Sequence, residues 1–95
     1  MKTTKQQILT AALAEAEATH YLKATRDKIA ARAGVTSPLI HHYWATMAQL
    51  KRAIVGEAIR CENLTVLAQA LVGKDQRVID CKPALKNKIV KHIRG

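Results

Sequence analysis

The stretch from Thr25 to Leu50, TRDKIAARAGVTSPLIHHYWATMAQL, constrains this chain more than any other. It reads as two short helices joined by a tight turn, followed by the start of a third. Thr25 offers a hydroxyl cap, and Asp27 is an acid placed for a first turn, at the positive end of the helix dipole. Ile29, Ala30 and Ala33 recur at helical spacing and make one apolar face. Gly34 breaks the pattern where a reversing chain needs a residue that tolerates positive φ. Val35 follows as a buried plug. Thr36 is a second N-cap, with Pro38 in the first turn, where a missing N–H costs little. Leu39, Ile40, Tyr43 and Trp44 carry the second helix inward and leave Ser37, His41 and His42 facing out. Helix, glycine-containing turn, helix is the helix-turn-helix plan.

The flanks read as more helix. Thr4 and Gln7 have capping-box spacing and open a first helix, with Ile8, Leu9, Ala12, Leu13 and Ala16 as its buried stripe. Lys5, Glu15 and Glu17 are expected to face water, and the helix to end near Thr19–His20. Tyr21 and Leu22 should fold back onto the second and third helices. Thr46 and Gln49 form another capping box, so a fourth helix begins there, carries Leu50, Ile54, Ala58 and Ile59 on one face, and runs to about Cys61–Asn63. The apolar stretch Leu64–Val72 is either its continuation or a fifth helix after a bend, and Gly73 ends it. The segment KDQRVIDCK reads as a loop or a short extended piece. Pro83 then opens a last helix with Leu85, Ile89 and Ile93 along one side. Nothing alternates with a period of two, there is no Phe, and only three residues are aromatic. The fold class is all-α.

The net charge of +9 and pI near 10.0 point to an anionic partner, most often nucleic acid. Its distribution is uneven: +1 over residues 1–25, +4 over 26–52, −1 over 53–72 and +5 over 73–95. Positive charge thus sits on the helix-turn-helix and on the tail, where phosphate contact is the expected use.

With those residues in place, the segment from Ile8 to Leu50 resembles, without gaps, the N-terminal DNA-binding domain of TetR-type transcriptional repressors. Ile8, Leu9, Ala11, Ala12, Leu13, Tyr21, Thr25, Ile29, Ala30, Ala33, Gly34, Val35, Ile40, Tyr43, Trp44 and Leu50 carry the likeness. It implies a three-helix head, a fourth helix that links it to the rest of the protein, and a recognition helix from about Thr36 to Tyr43. The pattern often has Phe at Ala16 and Gly at His20, so the core is expected to differ locally there. Such repressors add a larger helical domain that dimerises and holds an inducer. About fifty residues follow Trp44 here, too few for that domain and its pocket. The expectation is a head in residues 1–46, and in 47–95 a linking helix with a small helical dimerisation segment and basic tail, with no small-molecule inducer.

On a recognition helix, the N-terminal side chains reach base edges, so Thr36, Ser37, Leu39 and His42 are the specificity candidates. Ser and Thr hydrogen-bond several bases, and Leu39 suits a thymine methyl. No Arg, Asn or Gln stands on this helix for the commonest bidentate contacts, which leaves more to DNA shape or water. The phosphate candidates are Thr25, Arg26, Lys28, His41, Tyr43 and Lys51. The resemblance places a phosphate-contacting Tyr where His41 stands and a Lys where Met47 stands. His41 keeps a donor and Met47 has none, so Lys51 and Arg52 are the expected substitutes. Arg32 adds positive potential close by.

Other chemistries lack parts. His41 and His42 diverge by about 100° on a helix and no third ligand is spaced to join them, so no metal is expected. Cys61 and Cys81 form no CxxC pair and read as reduced thiols. There are no paired carboxylates, no nucleophile with a base and no Gly-rich phosphate loop, so neither an enzyme nor a cofactor is expected. No apolar run spans a membrane, and the N-terminal MKTTKQQ is too short for a targeting segment, which suits a cytoplasmic, nucleoid-associated protein. The expected function is a sequence-specific, dimeric repressor of transcription that occupies an inverted-repeat operator. An architectural, replication or packaging factor is the alternative, as is a basic module that grips an acidic protein of the transcription machinery.

Overall fold

The computed structural model describes residues 3–95, and among the described residues every regular element is a helix. The elements are α1 (Thr4–Ala18), α2 (Arg26–Ala33), α3 (Ser37–Tyr43), α4 (Met47–Cys61), α5 (Leu64–Val72), α6 (Gln76–Ile79) and α7 (Pro83–Arg94). Met1 and Lys2 lie outside the described residues. The all-α expectation holds.

Side-chain caps set most of the helix starts. Thr3, one residue ahead of the expected Thr4, accepts from the Gln6 N–H and opens α1. Thr25 accepts from Lys28, Thr46 from Gln49, Asn63 from Val66 and Asp75 from Arg77. The Gln49 side chain reaches back to the Ala45 N–H at 2.9 Å, completing a capping box one residue wider than the usual pattern. Gly34 closes α2 in the left-handed region (φ 71°, ψ 32°), as its place in the turn demands.

One core runs through the whole chain. Ile8, Ile29, Ile40, Leu50, Ile54, Leu67, Val78 and Ile89 are fully buried, and they come from all seven helices. The boundary expected after residue 46 falls between α3 and α4, and side chains bridge across it. Gln6 on α1 donates to Glu57 on α4 at 2.6 Å, and Gln69 on α5 donates to the Ala16 carbonyl at 2.9 Å.

Several expectations change here, and one open alternative is decided. Glu15 is buried (6% exposed), because the Arg32 guanidinium crosses from α2 to bond it at 2.8 Å and compensates its charge. Tyr21 is buried but turned towards α5: its N–H donates to Gln69 Oε1, and a Cβ on Gly73 would lie 3.1 Å from its hydroxyl. Leu22 stays half-exposed instead of packing onto α2 and α3. Residues 64–72 are a separate helix, since Glu62 turns into the left-handed region (φ 53°) and Asn63 caps anew. The supposed loop contains α6, held down by the fully buried Val78.

Segment α5 packs on α7 within one chain, and Lys88 of α7 pairs with Glu62 at 2.8 Å. The faces expected to form a dimer interface are therefore partly spent internally. Ile89 is buried, whereas Val72 and Ile93 remain outside.

Candidate nucleic-acid interface

Helix α3 is held by two inward residues. Ile40 is fully buried and Trp44, its C-cap, is nearly so, with the Lys5 ammonium 5.8 Å from the Trp44 ring centroid. Everything else on the helix is at least partly accessible. Tyr43 was expected inside with Trp44 and is not: it is 39% exposed, its ring set at an angle to those of His42 and Trp44. The short helix is anchored at Ile40 and at its C-cap Trp44, and Tyr43, about 60° round from Ile40 and about 100° from Trp44, sits at the edge of that buried stripe and stays part-exposed. Leu39 is half-buried, and His41 and His42 are exposed.

At the start of α3, Thr36 occupies the N-cap but its hydroxyl makes no capping bond. The Leu39 N–H already bonds the Thr36 carbonyl at 3.1 Å, and Pro38 has no N–H to offer. The Thr36 hydroxyl is exposed and available to a ligand. Ser37 is half-buried, and its hydroxyl donates to Asp27 Oδ1 on α2. That bond ties the first residue of α3 to the first turn of α2, and it leaves the Ser37 oxygen to act towards a ligand as an acceptor.

The phosphate candidates divide. Thr25, Arg26, Ser37, Met47 and Lys51 line one open cleft of about 520 Å³ where the starts of α2, α3 and α4 converge, with Leu22, Ala24 and Asp27 completing its wall. Lys28 and His41 are exposed outside that wall. Arg26 is partly committed elsewhere: its Nη2 donates to the Ala45 carbonyl at 3.1 Å and its Nε is buried with no protein acceptor, so its main role is to clamp the α3–α4 junction. Met47 is half-buried in the cleft, with Lys51 one turn along the same face of α4.

Residues 8–54 match the sequence pattern of the bacterial regulatory proteins of the tetR family. This span takes in α1 from Ile8, both helices of the turn, and the first half of α4. Residues 8–54 form a tetR-family DNA-binding head. No curated protein and no solved structure matches the chain. The tetR family is one of transcription regulators, so the head's task is to bind DNA.

Sequence reasoning missed three features of this surface. The Asp27–Ser37 bond joins residues ten apart across a turn, a pairing that helical spacing alone does not signal. The Glu15–Arg32 pair supports α2 from behind, and only the crossing of α1 over α2 brings its partners together. The tetR-family head also borders basic side chains from beyond its own span, because α6 brings Arg77 against α4. Among the described residues no three His, Cys, Asp or Glu side chains gather as metal ligands, and no helix is long and apolar enough to cross a membrane.

Proposed function

We propose that this protein is a sequence-specific, dimeric repressor of transcription that occupies an inverted-repeat operator, in the cytoplasm and without a small-molecule inducer. One observation carries the reading. A tetR-family head exposes the N-cap Thr36 and, on α3, His41, His42 and Tyr43, with Leu39 half-buried, beside a cleft that gathers Thr25, Ser37 and Lys51. In this reading Thr36, Ser37, Leu39 and His42 meet base edges, while Thr25, Lys28, His41, Tyr43 and Lys51 hold the backbone, with Arg26 in support. Two copies would read half-sites roughly 34–36 Å apart on one face of the duplex.

A second reading rests on the make-up of α3, which lacks Arg, Asn and Gln. Such a helix suits an architectural or replication factor that relies on backbone and shape contacts. Selection from a random DNA pool at near-physiological salt separates the two. Recovery of an inverted repeat supports the repressor, and salt-sensitive binding without any recovered motif supports the second reading.

A further inference from the structure

The cleft under the recognition helix does not end with the tetR-family head. Leu22 and Lys51 line it, and the same two residues line a second open cleft of about 370 Å³ between α4 and the segment Asp75–Arg77. Lys51, Arg52 and Arg77 face this second cleft, with Tyr21, Leu22, Ala48, Asp75 and Gln76 as the rest of its lining. Three basic side chains elsewhere meet carboxylates: Arg32 with Glu15, Arg60 with Glu57, Lys88 with Glu62. Among the described residues no carboxylate pairs with Lys51, Arg52 or Arg77. Asp75 spends one oxygen capping the Arg77 N–H, and Asp80 accepts from Gln76 at 3.0 Å. Three cations against one acid leave the cleft with a surplus of positive charge next to an expected path of DNA.

The position of Arg77 is built, not incidental. Val78, beside it, is fully buried and fixes α6, and Arg77 Nη1 donates to the Arg52 carbonyl at 2.7 Å. That bond uses one of five guanidinium hydrogens and orients the planar fork, an arrangement suited to a phosphate. We propose that this second cleft is a DNA-backbone site. In it, Lys51, Arg52 and Arg77 hold a phosphate of the duplex that flanks the segment read by α3, so that residues beyond the matched head extend its footprint. The inference rests on the DNA-binding reading of the head.

The test compares the wild-type chain, Arg77→Gln and Arg52→Gln on two duplexes: one recovered by selection from the random pool with its flanks intact, and the same duplex trimmed to the selected segment. Each backbone contact contributes about 0.9 to the slope of log K against log salt. On the long duplex, wild type should therefore lose about 3.5-fold more affinity than Arg77→Gln between about 50 mM and about 200 mM salt. On the trimmed duplex the two should coincide, and Arg77→Lys should recover most of the difference. Arg52→Gln tests the same site without touching the Arg77–carbonyl bond, should Arg77→Gln fold poorly. Equal slopes for all variants on the long duplex overturn the second site and leave the head's reading intact. Equal losses on both duplexes place the contact outside the flank and also overturn it. A wild-type chain that binds neither duplex overturns both.

Discussion

Gly34→Ala tests the turn on which the DNA-binding head depends. Gly34 has φ 71° and ψ 32°, its N–H bonds the Ala30 carbonyl at 2.9 Å, and the next N–H, from Val35, bonds the same carbonyl at 3.1 Å. A Cβ built at this position meets nothing within 4 Å, so the substitution carries no clash. What remains is the strain of an L-residue in the left-handed region, about 1–2 kcal/mol. Lower freedom in the unfolded chain offsets about 0.4–1 kcal/mol of that. The net loss is about 1 kcal/mol, which for a domain of this size lowers Tm by about 4–8 °C. Asn, which enters this region more readily, should lose less, and Val, whose branched side chain crowds its own backbone, more. Urea unfolding at 25 °C measures the series, and DNA affinity of the folded Ala variant should stay close to wild type because the two turn bonds persist. An unchanged or raised stability would refute a left-handed Gly34. A loss beyond about 3 kcal/mol would show contacts that an open position cannot have.

Thr36→Ala and His42→Ala should each cost about 1–3 kcal/mol on a selected DNA site and little on random duplex, as gel shift or fluorescence anisotropy would show; equal losses on both would move the recognition surface elsewhere. Acid should destabilise the fold through two carboxyls. Arg32 bonded to Glu15, and Arg60 bonded to Glu57, hold both below the usual carboxylate range. A lowered folded pKa stabilises above the unfolded value near 4.5 and is lost as pH falls through the folded one. Tm should thus hold above about pH 5 and fall below about 4.5, with a shallower fall in the Glu15→Gln, Glu57→Gln double variant; parallel curves would refute the assignment. Ile89→Ala should cost about 2–5 kcal/mol, since the side chain is fully buried on α7, and a loss under about 1 kcal/mol in urea unfolding would mean that α7 does not pack as described.

Much of the head was legible from local chemistry. Caps at Thr25 and Thr46, the left-handed Gly34, and the apolar spacing of Ile29, Ala30 and Ala33 act over a few residues, where sequence and structure share one periodicity. Misreadings arose where two neighbouring residues competed for one place. Thr3 took the cap instead of Thr4, and Trp44 took the core position that Tyr43 could not share. Glu15 was misread because a carboxylate in a helical pattern signals water until a cation crosses from another helix to cover it. Short α6 escaped notice because four residues hold barely one turn, too few for a period to register.

Most local elements could be placed from residue chemistry alone: long helices from apolar spacing, several of their starts from hydroxyl caps, the turn from a glycine, and a basic charge concentrated at the turn and tail. Which of those charges share a surface follows from how the helices pack. Lys51 and Arg77 stand 26 positions apart in the chain, and the burial of Val78 beneath α6 sets them against one cleft. Arg26 and Arg32, on the same helix, are drawn instead to a carbonyl and a carboxylate. The physical reason is range. A cap or a turn is satisfied by atoms a few residues away, whereas the partner of a long cationic side chain is whatever the packing of distant helices brings within about 3 Å.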